Sequence, residues 1–402
     1  MPPSMRIVHH LFVVMVLLLA LGGNTSFAQK KRTHPAKPST KAVSATSVNK
    51  YEAIDKQIQS MPADSASSLF VLASYIKAHW SEEEERIRAV YWWLAQFIQY
   101  DIANLYSIEQ PSSPDQIIKD VFTTHKAICS GYAITFKALC DQIGIKNYEV
   151  TGYTKHGYTI ESLPHAWNAA RIGGEWYLFD PTWGAGSIKD NQFVFEPNDV
   201  FFMVAPAEFI PTHIPFDPLW QFLEHPVTHH AFTTGNALRD SSQAYFNFKD
   251  SIAVYETLSP TDQLQATLRR VQQKGDRNVP LFTYLKILSH NLRASQLDAV
   301  MERYTRTVQQ INAFIDYRNR LFVPERPEPE IRATLDSIAL SLERVKFELG
   351  KLAKDDDNIR RNMSQVQLSI SDADKWLINQ EAFVKKYYST KRLFRKMLFS
   401  RQ

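Results

Sequence analysis

His165-Ala166-Trp167-Asn168-Ala169-Ala170-Arg171-Ile172-Gly173-Gly174-Glu175-Trp176-Tyr177-Leu178-Phe179-Asp180 reads as two strands, 165–172 and 175–180, joined across a glycine pair. Two glycines between alternating runs are a strong hairpin signal, because the tight turns that match strand twist need positive φ. With Gly173-Gly174 as the whole turn, Ile172 faces Glu175, Trp167 faces Asp180, and Thr182 would face His165. Residues opposite one another share a sheet face, as do residues two apart on one strand. His165 and Asp180 then become diagonal neighbours, roughly 7–8 Å apart at the backbone and within side-chain reach. A loop of odd length would send Asp180 to the wrong face. The hairpin therefore predicts an imidazole steadied by a carboxylate.

Upstream lies Ala127-Ile128-Cys129-Ser130-Gly131-Tyr132-Ala133. A polar stretch, 123–126, precedes it. Apolar residues at helical spacing (Ala133, Phe136, Leu139, Cys140, Ile143) follow, which places Cys129 at the start of a buried helix. The helix dipole and unpaired N–H groups there favour an anion, can bring a thiol pKa into the range of roughly 3.5–7.5, and would suit a developing oxyanion. Gly131 permits close approach of another backbone or a substrate. A thiol is a useful nucleophile only as its thiolate, so it needs a base, and the base needs an acceptor to hold its tautomer. Cys129, His165 and Asp180 are the expected catalytic residues, and Tyr132, Trp167 and Trp183 the expected lining of a substrate cleft. For the tryptophans the alternative is core packing. His165 alone would read as structural; its value comes from Asp180.

Two cysteines occur among 402 residues. On one helix their 11-residue separation is about 16 Å at 1.5 Å per residue, beyond the roughly 7 Å limit between bridged Cα atoms. Cys140 reads as a buried hydrophobe. Arg6, an apolar run at 11–21 and Ser26-Phe27-Ala28 read as a signal peptide (1–28), and hence export to the periplasm or exterior after cleavage near Ala28. The run falls short of the roughly 18–20 residues that span a bilayer. Residues 29–50, rich in Lys, Pro, Ser, Thr and Ala, read as a disordered tether. Residues 1–50 hold seven of the 46 Lys and Arg and none of the 42 Asp and Glu, so the remainder carries 39 basic against 42 acidic groups. The basic excess is therefore no sign of nucleic acid.

Helical spacing marks 51–61, 65–79, the segment after Ser81 with its acidic first turn, and 115–122. Strand patterns mark 148–154 and the hairpin, with 200–204 as a candidate edge strand. Prolines at 206, 211, 215, 218 and 226 read as irregular chain. Ile331, Leu335, Ile338, Leu342, Val345, Leu349 and Leu352 step as a heptad seam, as do Leu297, Val300, Tyr304, Val308, Ile311 and Ile315, and a third helix covers about 364–388. The expected fold is α+β, a Cys-bearing helix on an antiparallel sheet (51–232), followed by an α-helical hairpin or bundle (233–402).

Taken together, Cys129-Ser130-Gly131-Tyr132-Ala133, Gly152-Tyr153, His165-Ala166-Trp167-Asn168 and Asp180-Pro181-Thr182-Trp183-Gly184 resemble the transglutaminase-like superfamily, a circularly rearranged relative of papain-like cysteine proteases. The nearer likeness is to bacterial secreted members and kyphoscoliosis-peptidase-like domains. Trp93 and Ile98-Gln99-Tyr100-Asp101 resemble the family's entry helix, and Phe209-Ile210-Pro211-Thr212-His213 with Asp217-Pro218-Leu219-Trp220-Gln221 a trailing segment. The resemblance covers about residues 70–230. It implies Cys129 as nucleophile, His165 as general base and acid, and Asp180 as the orienting carboxylate. Cross-linking members carry Trp directly after the cysteine, whereas here it is Ser130, which favours hydrolysis over amine transfer. Gln99 and Tyr100 are candidates for the side-chain half of an oxyanion hole. The expected function is an exported thiol peptidase or amidase acting on protein or peptide, without cofactor or metal. The alternatives are amine transfer as in a protein-glutamine transglutaminase, and a silent binding scaffold. A metal site is a remaining rival: His225, His229 and His230 are close in sequence, but Pro226 argues against one helix presenting His225 and His229 together, and no Cys or Glu cluster completes a ligand set. The C-terminal helices offer a surface for a protein partner. The basic end, Lys385, Lys386, Lys391, Arg392, Arg395 and Lys396, reads as solvated, with contact to anionic lipid as the alternative.

Overall fold

A computed structural model describes residues 49–105, 113–235, 244–273, 278–352 and 357–399; the expected signal peptide (1–28) and nearly all of the expected tether (29–50) lie outside the described residues. The chain forms two compact units, the first reaching Leu258 and taking in Gln265–Ile287, the second comprising Ser259–Leu264 and the chain from Leu288 onward. The division falls later than residue 232. Arg270 reaches back to the buried Asp217 (Nη2–Oδ2 2.7 Å), and Leu281 and Tyr284 join the apolar cluster of Tyr153, Ile214 and Phe216. Among the described residues, no helix is long and apolar enough to cross a membrane.

The first unit opens with α1 (Glu52–Gln59), α2 (Leu69–His79) and α3 (Glu83–Phe97). Ser68 caps α2 through the Val71 N–H, and three glutamates in the first turn of α3 offset its dipole. Strand β1 (Gln99–Tyr100) runs parallel to β2 (Lys126–Ala127), with α4 (Pro114–Thr124), capped by Ser113, between them. Then comes α5 (Cys129–Ile143), whose apolar stripe of Tyr132, Phe136, Leu139 and Ile143 packs with Leu72, Ile76, Val90 and Leu94 in the main core. Cys129 and Cys140 both lie on α5 as free thiols.

The five-stranded antiparallel sheet has β3 (Asn147–His156), β4 (Thr159–Ile160), β5 (His165–Ile172) and β6 (Glu175–Phe179), with a fifth, later strand against β3. The β5–β6 register runs from Ile172 opposite Glu175 to Asn168 opposite Phe179, as the glycine turn predicts. The second strand ends one residue early. Asp180 caps the short helix α6 (Pro181–Ala185), so Thr182 leaves the ladder and does not face His165. A hairpin, β7 (Gly186–Lys189) and β8 (Gln192–Phe195), follows. The stretch 200–204 contributes only one bridge, Val204 to Leu178, in place of a strand. The proline-rich region is more ordered than its composition suggests: it holds α7 (Pro206–Phe209) and β9 (His213–Pro215), which pairs with β3. Gly152 is paired on both edges, to His165 and Pro215, and a Cβ there would meet the Ile214 carbonyl oxygen at 2.0 Å and the Trp167 ring at 2.6 Å. Only glycine fits. The unit continues with α8 (His229–Thr234) and α9 (Phe248–Thr257).

Arg88 on α3 is fully buried, bonding both oxygens of Asp55 at 2.7 Å and Asp199 at 2.6 Å, between the rings of Tyr51, Trp92 and Phe202. Removing one member of such a cluster strands the opposite charge. Arg88→Ala is expected to lower unfolding free energy by about 3–5 kcal/mol, measured by urea denaturation.

The helices α10 (Pro260–Gln273) and α11 (Val279–Asn319) contribute to both units. In the second unit, the later part of α11, α12 (Glu328–Lys351) and α13 (Asp357–Ser389) share one core. The α12 seam Ile331, Leu335, Ile338, Leu342, Val345 and Leu349 is buried throughout, which is what a 3.5-residue apolar repeat requires.

Candidate active site

Helix α5 begins at Cys129 with Ile128 at its N-cap and no side chain capping its first turn. Helices α2, α4, α8 and α9 each have a capping side chain, whereas α1, α3, α7 and α12, like α5, have none. An uncapped start typically costs about 1 kcal/mol but leaves N–H groups for another acceptor. The sulfur packs with Ala133 and Ala166 in a small apolar cluster. One turn on, Asn168 of β5 donates Nδ2–H to the Ala133 carbonyl at 2.9 Å, which pins α5 to the strand that carries His165.

His165 Nε2 lies 2.7 Å from Asp180 Oδ2. That bond leaves Nδ1 for another partner, and Cys129 is close enough to the ring to help raise its pKa. Asp180 is completely buried and saturated with donors. Its Oδ1 accepts the N–H groups of Thr182 (2.9 Å) and Trp183 (3.2 Å), and its Oδ2 accepts His165 and a second imidazole, His213 Nε2, at 3.2 Å. Helix α6 makes this possible: a Cβ at Gly184 would lie 1.9 Å from the Tyr91 hydroxyl, so glycine lets α6 seat against α3 with its N-cap under the histidine.

These contacts decide the charges. Burial alone would lower the His165 pKa, but the Asp180 charge and hydrogen bond, with Cys129, raise it to about 10. Burial would raise the Asp180 pKa, yet the two histidines hold it well below the usual carboxylate range. Burial pushes His213 down to about 4 against the pull of Asp180, with His165 and His156 adding to the downward push. At neutral pH the site therefore holds one imidazolium, one carboxylate and one neutral imidazole.

The consequences for stability follow by linkage. His165 titrates above its ordinary 6.5 in the folded state, so its stabilisation is complete below that pH and lost toward about pH 10. The unfolded chain protonates His213 below 6.5 while the folded one resists until about pH 4, so acid weakens the fold in that window. Asp180 adds a further loss below 3.8. Thermal stability is expected to peak near pH 6.5, and His165→Gln should flatten the alkaline slope of melting temperature against pH while leaving the acid slope.

The expected cleft residues separate. Tyr132 is fully buried and donates its hydroxyl to the Ile98 carbonyl, so it belongs to the core. Trp167 is also fully buried, stacked near His165 (centroids 6.0 Å) with His213 edge-on at 5.3 Å. Neither borders solvent; each side chain projects inward from its element. Trp183 is half-buried, 5.8 Å from the His165 ring, with His156 stacked on it at 4.4 Å, and so bounds the site. On β1, Tyr100 packs into the core beside Phe193, whereas Gln99 is half-buried next to β2, two residues before the α5 N-cap. His229 is engaged by the Tyr153 hydroxyl (3.0 Å) and the Phe216 carbonyl (3.3 Å), and His230 is exposed.

His213 is the residue that sequence reasoning passed over. It lay within the segment Phe209–His213 quoted for the resemblance, but no role was drawn from it. With His165 and Asp180 it forms, among the described residues, a group whose ligand atoms lie within 4.8 Å of one another, as in a metal site. The shared acceptor oxygen accounts for that convergence.

Residues 72–181 match the family model of the transglutaminase-like superfamily. Human kyphoscoliosis peptidase is 33% identical over 187 residues, 44% of this chain and 28% of that protein. The mouse kyphoscoliosis peptidase is 32% identical over 204 residues, 48% and 30% of the two chains, and Hillarin of Drosophila melanogaster 22% over 202 residues, 44% and 24%. The chain thus spans less than a third of the length of these curated relatives. Residues 72–181 thus carry a transglutaminase-like domain, similar to that of the kyphoscoliosis peptidases.

Proposed function

We propose that this chain is, through its transglutaminase-like domain, a thiol hydrolase, a peptidase or amidase, in which Cys129 attacks the carbonyl carbon of an amide. The observation that carries the reading is the 2.7 Å bond from His165 to the buried Asp180, with Cys129 close enough to help raise the pKa of the ring. An imidazolium beside the sulfur stabilises a thiolate, the nucleophilic form. As the S–C bond forms, charge moves to the carbonyl oxygen, where the uncapped first-turn N–H groups of α5, and Gln99 if its side chain turns inward, would receive it. His165 gives its proton to the departing amine as the C–N bond breaks. Neutral His165 then takes a proton from water, whose oxygen displaces the thiolate and releases the acid. Asp180 keeps the ring in one tautomer throughout.

The test is wild type against Cys129→Ala on a mixed peptide and protein digest containing a labelled primary amine, scored by mass spectrometry. Fragments that vanish in the variant support hydrolysis. Amine adducts without fragments would replace it with transfer to an amine. Neither product, with Cys129 no more reactive to iodoacetamide than free cysteine, would leave a binding protein.

A further inference from the structure

The sheet carries a second histidine under the carboxylate. Thr154 on β3 pairs with His213, and Gly152, two residues away, pairs with His165, so the two imidazoles stand on one sheet face. Their ring centroids are 5.7 Å apart, and both Nε2 atoms point at the same oxygen of Asp180. His213 is completely buried, walled by Trp167 (5.3 Å), Trp183 (4.5 Å), Phe201 (5.4 Å) and Phe209 (4.2 Å). Its other nitrogen, Nδ1, lies 2.8 Å from the Thr212 hydroxyl. A neutral imidazole has one donor and one acceptor; the acceptor-only carboxylate of Asp180 requires Nε2–H, which leaves Nδ1 as an acceptor toward the Thr212 hydroxyl, itself also in reach of the Phe209 carbonyl (3.1 Å). The titratable groups facing His213 are Asp180, His165 and His156.

We propose that His213 is a positioning residue of the thiol site, a neutral N–H donor that locks Asp180 in the orientation His165 needs. This rests on the reading of Cys129 and His165 given above. A carboxylate rotates about its last torsion unless both oxygens are held. Oδ1 is held by the backbone of α6; Oδ2 would otherwise have only the imidazolium that must move its proton. His213 supplies a partner whose charge does not change at neutral pH. Outer partners of this kind typically contribute 10–100-fold to the group they orient.

The probe is iodoacetamide alkylation of Cys129 in the full chain, followed by mass spectrometry from pH 5 to pH 10. Wild type should alkylate nearly as fast at pH 6 as at pH 9; if its rate instead tracks free cysteine, the thiol-site reading itself fails. Given the wild-type plateau, His213→Leu should be about tenfold slower at pH 6 and unchanged at pH 10, while His213→Gln, whose amide N–H can occupy the Nε2 position, should stay within about threefold of wild type. Equal rates in His213→Leu and wild type at pH 6, or equal losses in the Leu and Gln variants, would overturn the assignment. Should His213→Leu not fold, 15N spectra of wild type with labelled histidine carry the test. His213 should be protonated at Nε2 only; Nδ1 protonation refutes the proposal.

Discussion

Cys129→Ala is expected to abolish turnover, with kcat falling by roughly 10³–10⁶, while the fold is unchanged within about 1 kcal/mol. The loss is large because the sulfur is the atom that bonds the carbonyl carbon, and its apolar neighbours Ala133 and Ala166 offer no substitute. The structural cost is small because a single sulfur is removed from a site lined with alanines. Cys140→Ala is the matched control. That thiol is fully buried on the same helix, burial pushes its pKa well up, and it packs in the main core. It should keep full activity and cost about 1 kcal/mol of stability from its small cavity. Mass-spectrometric counting of products and carbamidomethylated residues separates the two cysteines. Retained turnover in Cys129→Ala would remove the thiol from the chemistry.

Asp180→Asn is the second large effect, and it should act on rate and stability together. The carboxylate is met by four donors: two backbone N–H groups and two imidazoles. An amide replaces one acceptor oxygen by a donor. Either α6 loses its cap, or a histidine N–H faces an N–H. Each buried donor left unpaired costs roughly 1–3 kcal/mol. His165 also loses the negative charge that raises its pKa, so at neutral pH it becomes a neutral ring free to adopt the wrong tautomer. A fall in kcat of about 10³–10⁴ is expected, the scale seen when the orienting carboxylate of a related triad is neutralised. Turnover, thermal unfolding and the pH dependence of alkylation on one preparation check this. Wild-type rates in a fully folded variant would show that the carboxylate does not steer the ring.

The sequence by itself determined what depends on local period and turn chemistry. Gly173-Gly174 closes a two-residue turn, and period-two pairing from it alone puts His165 and Asp180 on one face; the observed ladder has that register. The apolar stripe after Cys129 likewise predicts a helix start there, and the leucine and isoleucine steps of α12 predict its buried seam. Tertiary structure decided everything that requires distant segments to meet. His213 is 33 residues from Asp180 and arrives on a three-residue strand between prolines, too short to show a period. It reaches the site only because β3 is paired on both edges at Gly152. The facing of the aromatics was equally undetermined: Tyr132, Trp167 and Trp183 flank the motifs alike in sequence, yet two are core and one borders solvent. An aromatic ring packs equally well in a core or along a cleft wall, and only the neighbours that the fold brings decide which.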